Sequence, residues 1–391
     1  MCVQGQDQDG ADEAPPHYGD TFPWHLGVFD AHNHIAERML SVTDLPTMKA
    51  RAVAIMATRT QDQPLVTDIV AAHGIKERGW FPEDTTTVIA GYGRHPWFSH
   101  EVYDDLGEAI TFGKTENVEA SKERHYKAVL TPAPDDPGFW HDLPMPIPLS
   151  AVISDIRTRL EIDPLAIVGE IGLDKSFRLP MQWKPEAKSM RDPARTPGGR
   201  ERRPLSPHKI QMSHQKTVLM AQLKLAGEFG RAVSVHGVQV HGVLYDLLTS
   251  CWKGHEIKGR RSQQKQRKER GELREKDQDL KPYPPRICLH SFSGKSDAVK
   301  QYLKPSFPAQ IFFSFSKTNN LASEDARAKT ADAVAAVPDN RILVESDLHT
   351  AGDRMDGELE EVCRAICAIK GWSLEDGISR MAANYREYIF G

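Results

Sequence analysis

Two histidines stand one residue apart in FDAHNHI, residues 29–35, just after a short apolar stretch. In an extended strand the side chains at i and i+2 share a face, so His32 and His34 aim at one point, as two ligands of one metal ion must. A lone His-x-His is common by chance, and its weight depends on whether the rest of the chain supplies further ligands. Glu170 in VGEIGLD, His236 in VSVHG, His290 in CLHSFSG and Asp347 in LVESD each fall at the end of an apolar run. An ionisable group embedded in such a run is costly unless it is paired or holds a metal. Any one of these residues reads equally well as a satisfied core group, but chance does not explain all six at equivalent positions. Nitrogen and oxygen ligands without thiolate suit Zn²⁺, Mn²⁺ or Mg²⁺ and do not choose among them.

The elements that must position these residues are eight β-rich runs, at 28–35, 51–58, 87–96, 165–174, 231–237, 286–294, 310–316 and 341–347. They are continuous and apolar rather than alternating, the pattern of parallel strands covered on both faces. Helix-like segments separate them, including DQPLVTDIVAAHG, LSAVISDIRTRLEI and a long one from about His208 to Phe229. Eight strands alternating with helices predict an α/β fold, a (β/α)8 TIM barrel. A doubly wound open sheet fits less well, because no G-x-G-x-x-G follows the first strand. Barrel chemistry gathers at the C-terminal strand ends, which is where the six candidate ligands fall. By alternation Asp30 shares their face one layer deeper, where it would orient His32 and His34.

The predicted organisation is a polar, disordered lead-in over 1–26 and one barrel domain over 27–391. Insertions are expected at about 111–148, 178–206 and 253–284, in the loops after strands three, four and five. The first is Pro- and Asp-rich and reads as an irregular excursion. The third contains KGRRSQQKQRKERGELREKDQDLK, which reads first as a solvated loop and second as a basic arm for a phosphate backbone or an acidic partner. A net charge of −4 excludes a global polycation, so any nucleic-acid binding must come from a local patch or from metal ions. No apolar run is long enough to span a membrane. The N-terminal stretch is unlike a targeting sequence. Five cysteines without framework spacing point to a reducing compartment, cytoplasm or nucleus.

Taken together, HxH in the first strand, GEIGLD, a strand ending in His, HSFSG and ESD resemble the TatD-type metal-dependent deoxyribonucleases of the amidohydrolase superfamily. GRHPW (93–97) resembles the family's segment after strand three, Gln215 its Gln-containing fourth helix, and NYREYIF (384–390) its terminal signature. The resemblance implies two divalent ions. One would be held by His32, His34 and Asp347, the other by His236 and His290, with Glu170 bridging. A glutamate in that role is similar to the deoxyribonucleases rather than to related lactonases and phosphotriesterases, which use a modified lysine. It further implies hydrolysis of DNA phosphodiester bonds, 3′-to-5′ exonuclease-like, by a monomer. Asp347 would orient or deprotonate the attacking water, and His95 would contact the substrate phosphate or close its Pro-containing loop by a hydrogen bond.

Two positions depart from the family pattern: Gln239 replaces a usual Arg after the strand-five His, and Leu348-His349 replaces a usual Pro after the strand-eight Asp. Both bear on substrate. A fungal-looking branch with similar insertions is described as binding a TPR-containing cell-cycle subunit, so a protein partner engaged through the insertions is the second expectation. Hydrolysis of a small amide, lactone or phosphoester is the third.

Overall fold

The structure is a computed structural model describing residues 21–107, 111–113, 117–184, 199–257 and 281–391. The lead-in as far as residue 20 and the centres of the second and third insertions, including the basic run, lie outside the described residues. Eight parallel strands form one sheet in chain order: β1 (Phe29–Asn33), β2 (Ala52–Ala57), β3 (Thr87–Tyr92), β4 (Ile167–Asp174), β5 (Val233–Val238), β6 (Arg286–Leu289), β7 (Gln310–Phe315) and β8 (Ile342–Val344). The first and last strands meet at their C-terminal ends, where Asp347 N donates to His32 O at 3.0 Å and His34 N to Leu348 O at 2.8 Å. The sheet therefore curls into a nearly closed barrel, as the eight-fold alternation predicts.

Strand residues are buried on both sides, as in AVAIMA of β2 and TVIAGY of β3. Val53, Ile55 and Ala57 pack outward in the cluster that includes Val66 and Ile69 of α1 (Asp62–His73). Ala52, Ala54, Met56, Ile89, Ile167, Cys288, Phe312 and Leu343 belong to a second cluster, the barrel interior. The C-terminal helix (Leu374–Phe390) plugs its lower end, with Tyr385 stacked on Phe29 at 4.7 Å. Filling the lower barrel with apolar side chains leaves the upper, C-terminal end for polar ones. Among the described residues, no helix is long and apolar enough to cross a membrane.

The first insertion is more ordered than its composition suggests. It holds α2 (Val118–Val129) and α3 (Pro137–His141), capped by the side chains of Asn117 and Asp136. The prolines and aspartates that read as loop formers serve as a first-turn residue and a cap. Tyr126, Val129, Leu130, Phe139 and Trp140 make a small core there with Leu179 and Ile210. Leu130–Thr131 pairs antiparallel with Lys209–Ile210, so the segment expected to start a long helix at His208 begins extended. That helix runs instead over Met212–Glu228. The excursions after β3 and β4 thus pack together at the C-terminal end of the barrel.

Candidate metal centre

Five strand ends bring His32, His34, Glu170, His236, His290 and Asp347 into one cluster, buried except for Asp347 at its mouth, and the loop after β3 adds His95. Glu170, 3 % exposed, is its centre, and its two carboxylate oxygens face different partners. Oε1 lies 2.8 Å from His236 Nδ1, 2.8 Å from His290 Nε2 and 3.2 Å from His95 Nε2. Oε2 lies 3.5 Å from both His32 Nε2 and His34 Nε2. Asp347 Oδ1 completes that side, 3.3 Å from His34 Nε2 and 3.9 Å from His32 Nε2. The rings of His32 and His290 stack at 3.9 Å across the divide.

The backbone is bent to make this possible. Gln239 (φ 56°), Ser291 (φ 42°) and Asp347 (φ 57°), at the ends of β5, β6 and β8, adopt left-handed conformations that non-glycine residues reach at a cost. Gly172 (φ 157°) lets β4 approach β5 closely, since a Cβ there would sit 2.0 Å from His236 O. Asn319 Nδ2 donates to Asp347 Oδ2 at 2.5 Å and fixes its carboxylate.

Electrostatics follow from crowding one carboxylate among imidazoles. Burial alone would raise the pKa of Glu170, but His95, His290 and His32 around it hold it well below the ordinary carboxylate range. Burial opposes charge on His34 and His236 too, yet the neighbouring carboxylates push each up to about 9. His95 goes the other way, down to about 4, because burial, helped by His236, outweighs the pull of Glu170 and Asp174.

Several positioning groups carry no obvious signal in the sequence. Asp174, the last residue of GEIGLD, has Oδ2 3.1 Å from His236 Nε2. Glu345 of the ESD motif accepts from Ser291 N at 2.8 Å and lies 3.4 Å from His290 Nδ1. Ser234 Oγ, two residues before His236, lies 2.7 Å from His32 Nδ1. The two acids stand at strand ends and could have been found by that rule alone; Ser234 and Asn319 could not.

Asp30 departs from the expected geometry. A bulge between Asp30 and Asn33 breaks the alternation in β1. The Asp30 carboxylate accepts from the backbone N of His32 and of Ser346, both at 3.0 Å, and from Ser346 Oγ at 2.5 Å. It ties β1 to the end of β8, while the His32 ring takes its orientation from Ser234. His95 makes the bond expected of a loop-closing residue, its Nδ1 accepting from Trp97 N at 3.1 Å in the Pro-containing loop, while its Nε2 lies 3.2 Å from Glu170 Oε1.

The cluster can hold metal ions. His32 Nε2 is buried without a hydrogen-bond partner in the gap between Glu170 and Asp347, the position a cation would fill. The ligands are all imidazole and carboxylate, a set suited to Zn²⁺, Mn²⁺ or Mg²⁺. Two of the histidines have a hydrogen-bond partner at the ring nitrogen opposite the site, His32 with Ser234 and His236 with Asp174, the support that metal-binding histidines use, and His290 Nδ1 faces Glu345 at 3.4 Å.

Comparison with known proteins agrees with this construction. The family model for TatD related DNase matches residues 29–390. The chain is 34% identical to the Cut9-interacting protein scn1 of Schizosaccharomyces pombe, across 93% of this chain and 98% of that one. It is 28% identical to the uncharacterized deoxyribonuclease YMR262W of Saccharomyces cerevisiae, across 66% of each. Its fold resembles a TatD family hydrolase of Entamoeba histolytica (TM-score 0.52, 11% identity, 93% and 98% of the two chains covered). An uncharacterized amidohydrolase of S. cerevisiae is equally similar (TM-score 0.52, 12% identity, 92% and 98% covered). With a matching family model over nearly the whole barrel and a close relative over nearly its whole length, the chain belongs to the TatD-related DNase family.

Proposed function

We propose that the chain is a divalent-metal-dependent phosphodiesterase that hydrolyses DNA from its ends, 3′ to 5′. The observation that carries this reading is the split of partners over Glu170, with His236 and His290 at one oxygen and His32, His34 and Asp347 around the other. A single bridging carboxylate with a ligand set on each side fits a pair of ions. Bound there, such ions neutralise the phosphoryl oxygens and lower the pKa of water at neutral pH.

The chain's own residues do the rest. Asp347, 14 % exposed at the mouth and held by Asn319, orients the attacking water and accepts its proton. His95 stands on the His236 side and donates from Nε2 to a phosphate oxygen. The apolar barrel below excludes bulk water and strengthens each of these interactions. The test is cleavage of end-labelled single-stranded DNA with Mg²⁺ or Mn²⁺, comparing wild type with Glu170→Gln and Asp347→Asn. Metal-dependent shortening lost in both variants supports the reading. Intact DNA with turnover of small esters, amides or lactones replaces it with a different substrate class.

A second reading has one observation in its favour, the 34% identity to a protein named for interacting with Cut9. Under it the chain binds a protein partner through the 111–148 and 253–284 insertions. Deleting residues 258–280 should then abolish partner binding while leaving DNA cleavage intact.

A further inference from the structure

One feature at the mouth of the centre takes no part in the chemistry above. Trp97, in the 3-10 helix Pro96–Glu101 after β3, and Phe177, three residues past β4, stack face to face at 4.9 Å with 12° between planes. Both are partly exposed. The indole ring centroid lies 4.8 Å from that of His95 and 6.0 Å from that of His236, so the pair borders one half of the centre.

Asp174 locks the pair in place. Its Oδ2 accepts from Trp97 Nε1 at 2.7 Å and lies 3.1 Å from His236 Nε2. Its Oδ1 accepts from Ser176 N at 2.7 Å and Phe177 N at 2.9 Å. One buried carboxylate therefore ties the Trp97 indole, the backbone of Phe177 and the His236 ring together. Phe177 packs against the small core of the first insertion without being covered by it. Lys175 and Arg178, both exposed, flank Phe177 and make no ion pair among the described residues.

Fixed, partly exposed aromatic rings beside free cations form the pattern by which proteins hold single-stranded nucleic acid: bases stack and phosphates pair. We propose that Trp97 and Phe177 form a nucleobase-stacking subsite that seats the base of the nucleotide whose phosphate enters the metal centre, with Lys175 and Arg178 on the adjoining phosphates. The proposal rests on the phosphodiesterase reading. It makes the ligand a base-bearing single strand rather than a bare phosphodiester, and it is sequence-tolerant because every base offers a π-face.

The test is fluorescence anisotropy with a labelled oligothymidylate and with the same oligonucleotide made abasic, in Mg²⁺ on the Asp347→Asn background, where turnover does not intervene. The base-bearing strand should bind tighter, and Trp97→Ala and Phe177→Ala should each weaken it by roughly 5- to 150-fold while moving the abasic strand little. Trp97→Phe, which keeps a ring and loses the bond to Asp174, should retain most of the preference for bases. Lys175→Ala with Arg178→Ala should weaken both strands alike and flatten the salt dependence. Equal binding of the two strands, or a preference that survives Trp97→Ala and Phe177→Ala, overturns the subsite. Cleavage of DNA by the wild type is read in parallel. A base preference without cleavage keeps the subsite and removes the phosphodiesterase reading, and cleavage without a base preference does the reverse.

Discussion

Replacing Glu170 by Gln keeps the shape of the central side chain and removes the one charge that both ligand sets share. The amide also turns one acceptor oxygen into an NH2 donor facing imidazole nitrogens. The consequence is best read in metal-linked stability. At about 2.1 cal/mol/K per residue, the 391-residue chain unfolds with an entropy of about 0.8 kcal/mol/K. An ion present at about 100 times its Kd stabilises the folded state by about 2.7 kcal/mol, so two ions raise Tm by about 7 °C. If Glu170→Gln weakens each ion about a hundredfold, the same metal concentration contributes only about 0.4 kcal/mol per ion and a rise of about 1 °C. The assay is calorimetric melting of wild type and variant, each in EDTA and in Mn²⁺. Comparing each protein with its own metal-free form removes whatever the substitution does to the apo fold. A variant that keeps the full shift refutes the bridging role.

Asp347→Asn preserves the bond from Asn319 or its mirror and leaves the fold intact, while initial rates on end-labelled DNA should fall by about 10²- to 10⁴-fold with little change in KM. A rate within threefold of wild type removes Asp347 from the chemistry. Gly172→Ala places a Cβ against His236 O and should destabilise by roughly 2–4 kcal/mol with loss of metal binding; an unchanged urea midpoint contradicts the close approach of β4 and β5. Burial holds His100 and His125 down to about 4 from 6.5, against the opposing pull of Glu101 on the first and the carbonyl of His100 on the second; Arg94 lowers His100 further, and His214 lowers both. The unfolded chain binds these protons first, so this stability is complete above about pH 6.5 and falls between there and pH 4, by roughly a few kcal/mol. The loss of urea midpoint from pH 7.5 to pH 5 should therefore be smaller in His125→Gln than in wild type, the histidines of the metal centre contributing alike to both; an equal loss in the two proteins contradicts the assignment.

The six candidate ligands were legible because a barrel sets its chemistry at strand ends, and an imidazole or carboxylate closing an apolar run stands out there. His32, His34, Glu170, His236, His290 and Asp347 all meet in space for that reason. Alternation failed at Asp30, where a bulge in β1 redirects the carboxylate to the backbone of β8, a break that no residue in FDAHN signals. Composition failed in the first insertion, where Asn117 and Asp136 are caps of α2 and α3 rather than loop formers. Ser234 and Asn319 were invisible for a different reason. Ser234 bonds His32 across the barrel and Asn319 donates to Asp347 and Ser291, relations between distant segments that exist only once the sheet has closed.

Anomalous diffraction from crystals of the chain soaked in Mn²⁺ counts and places the ions directly. Two peaks are expected, one among His32, His34 and Asp347 beside Oε2 of Glu170 and the other among His236 and His290 beside Oε1. A single peak, or peaks that do not share Glu170, would contradict a two-ion centre and the mechanism built on it.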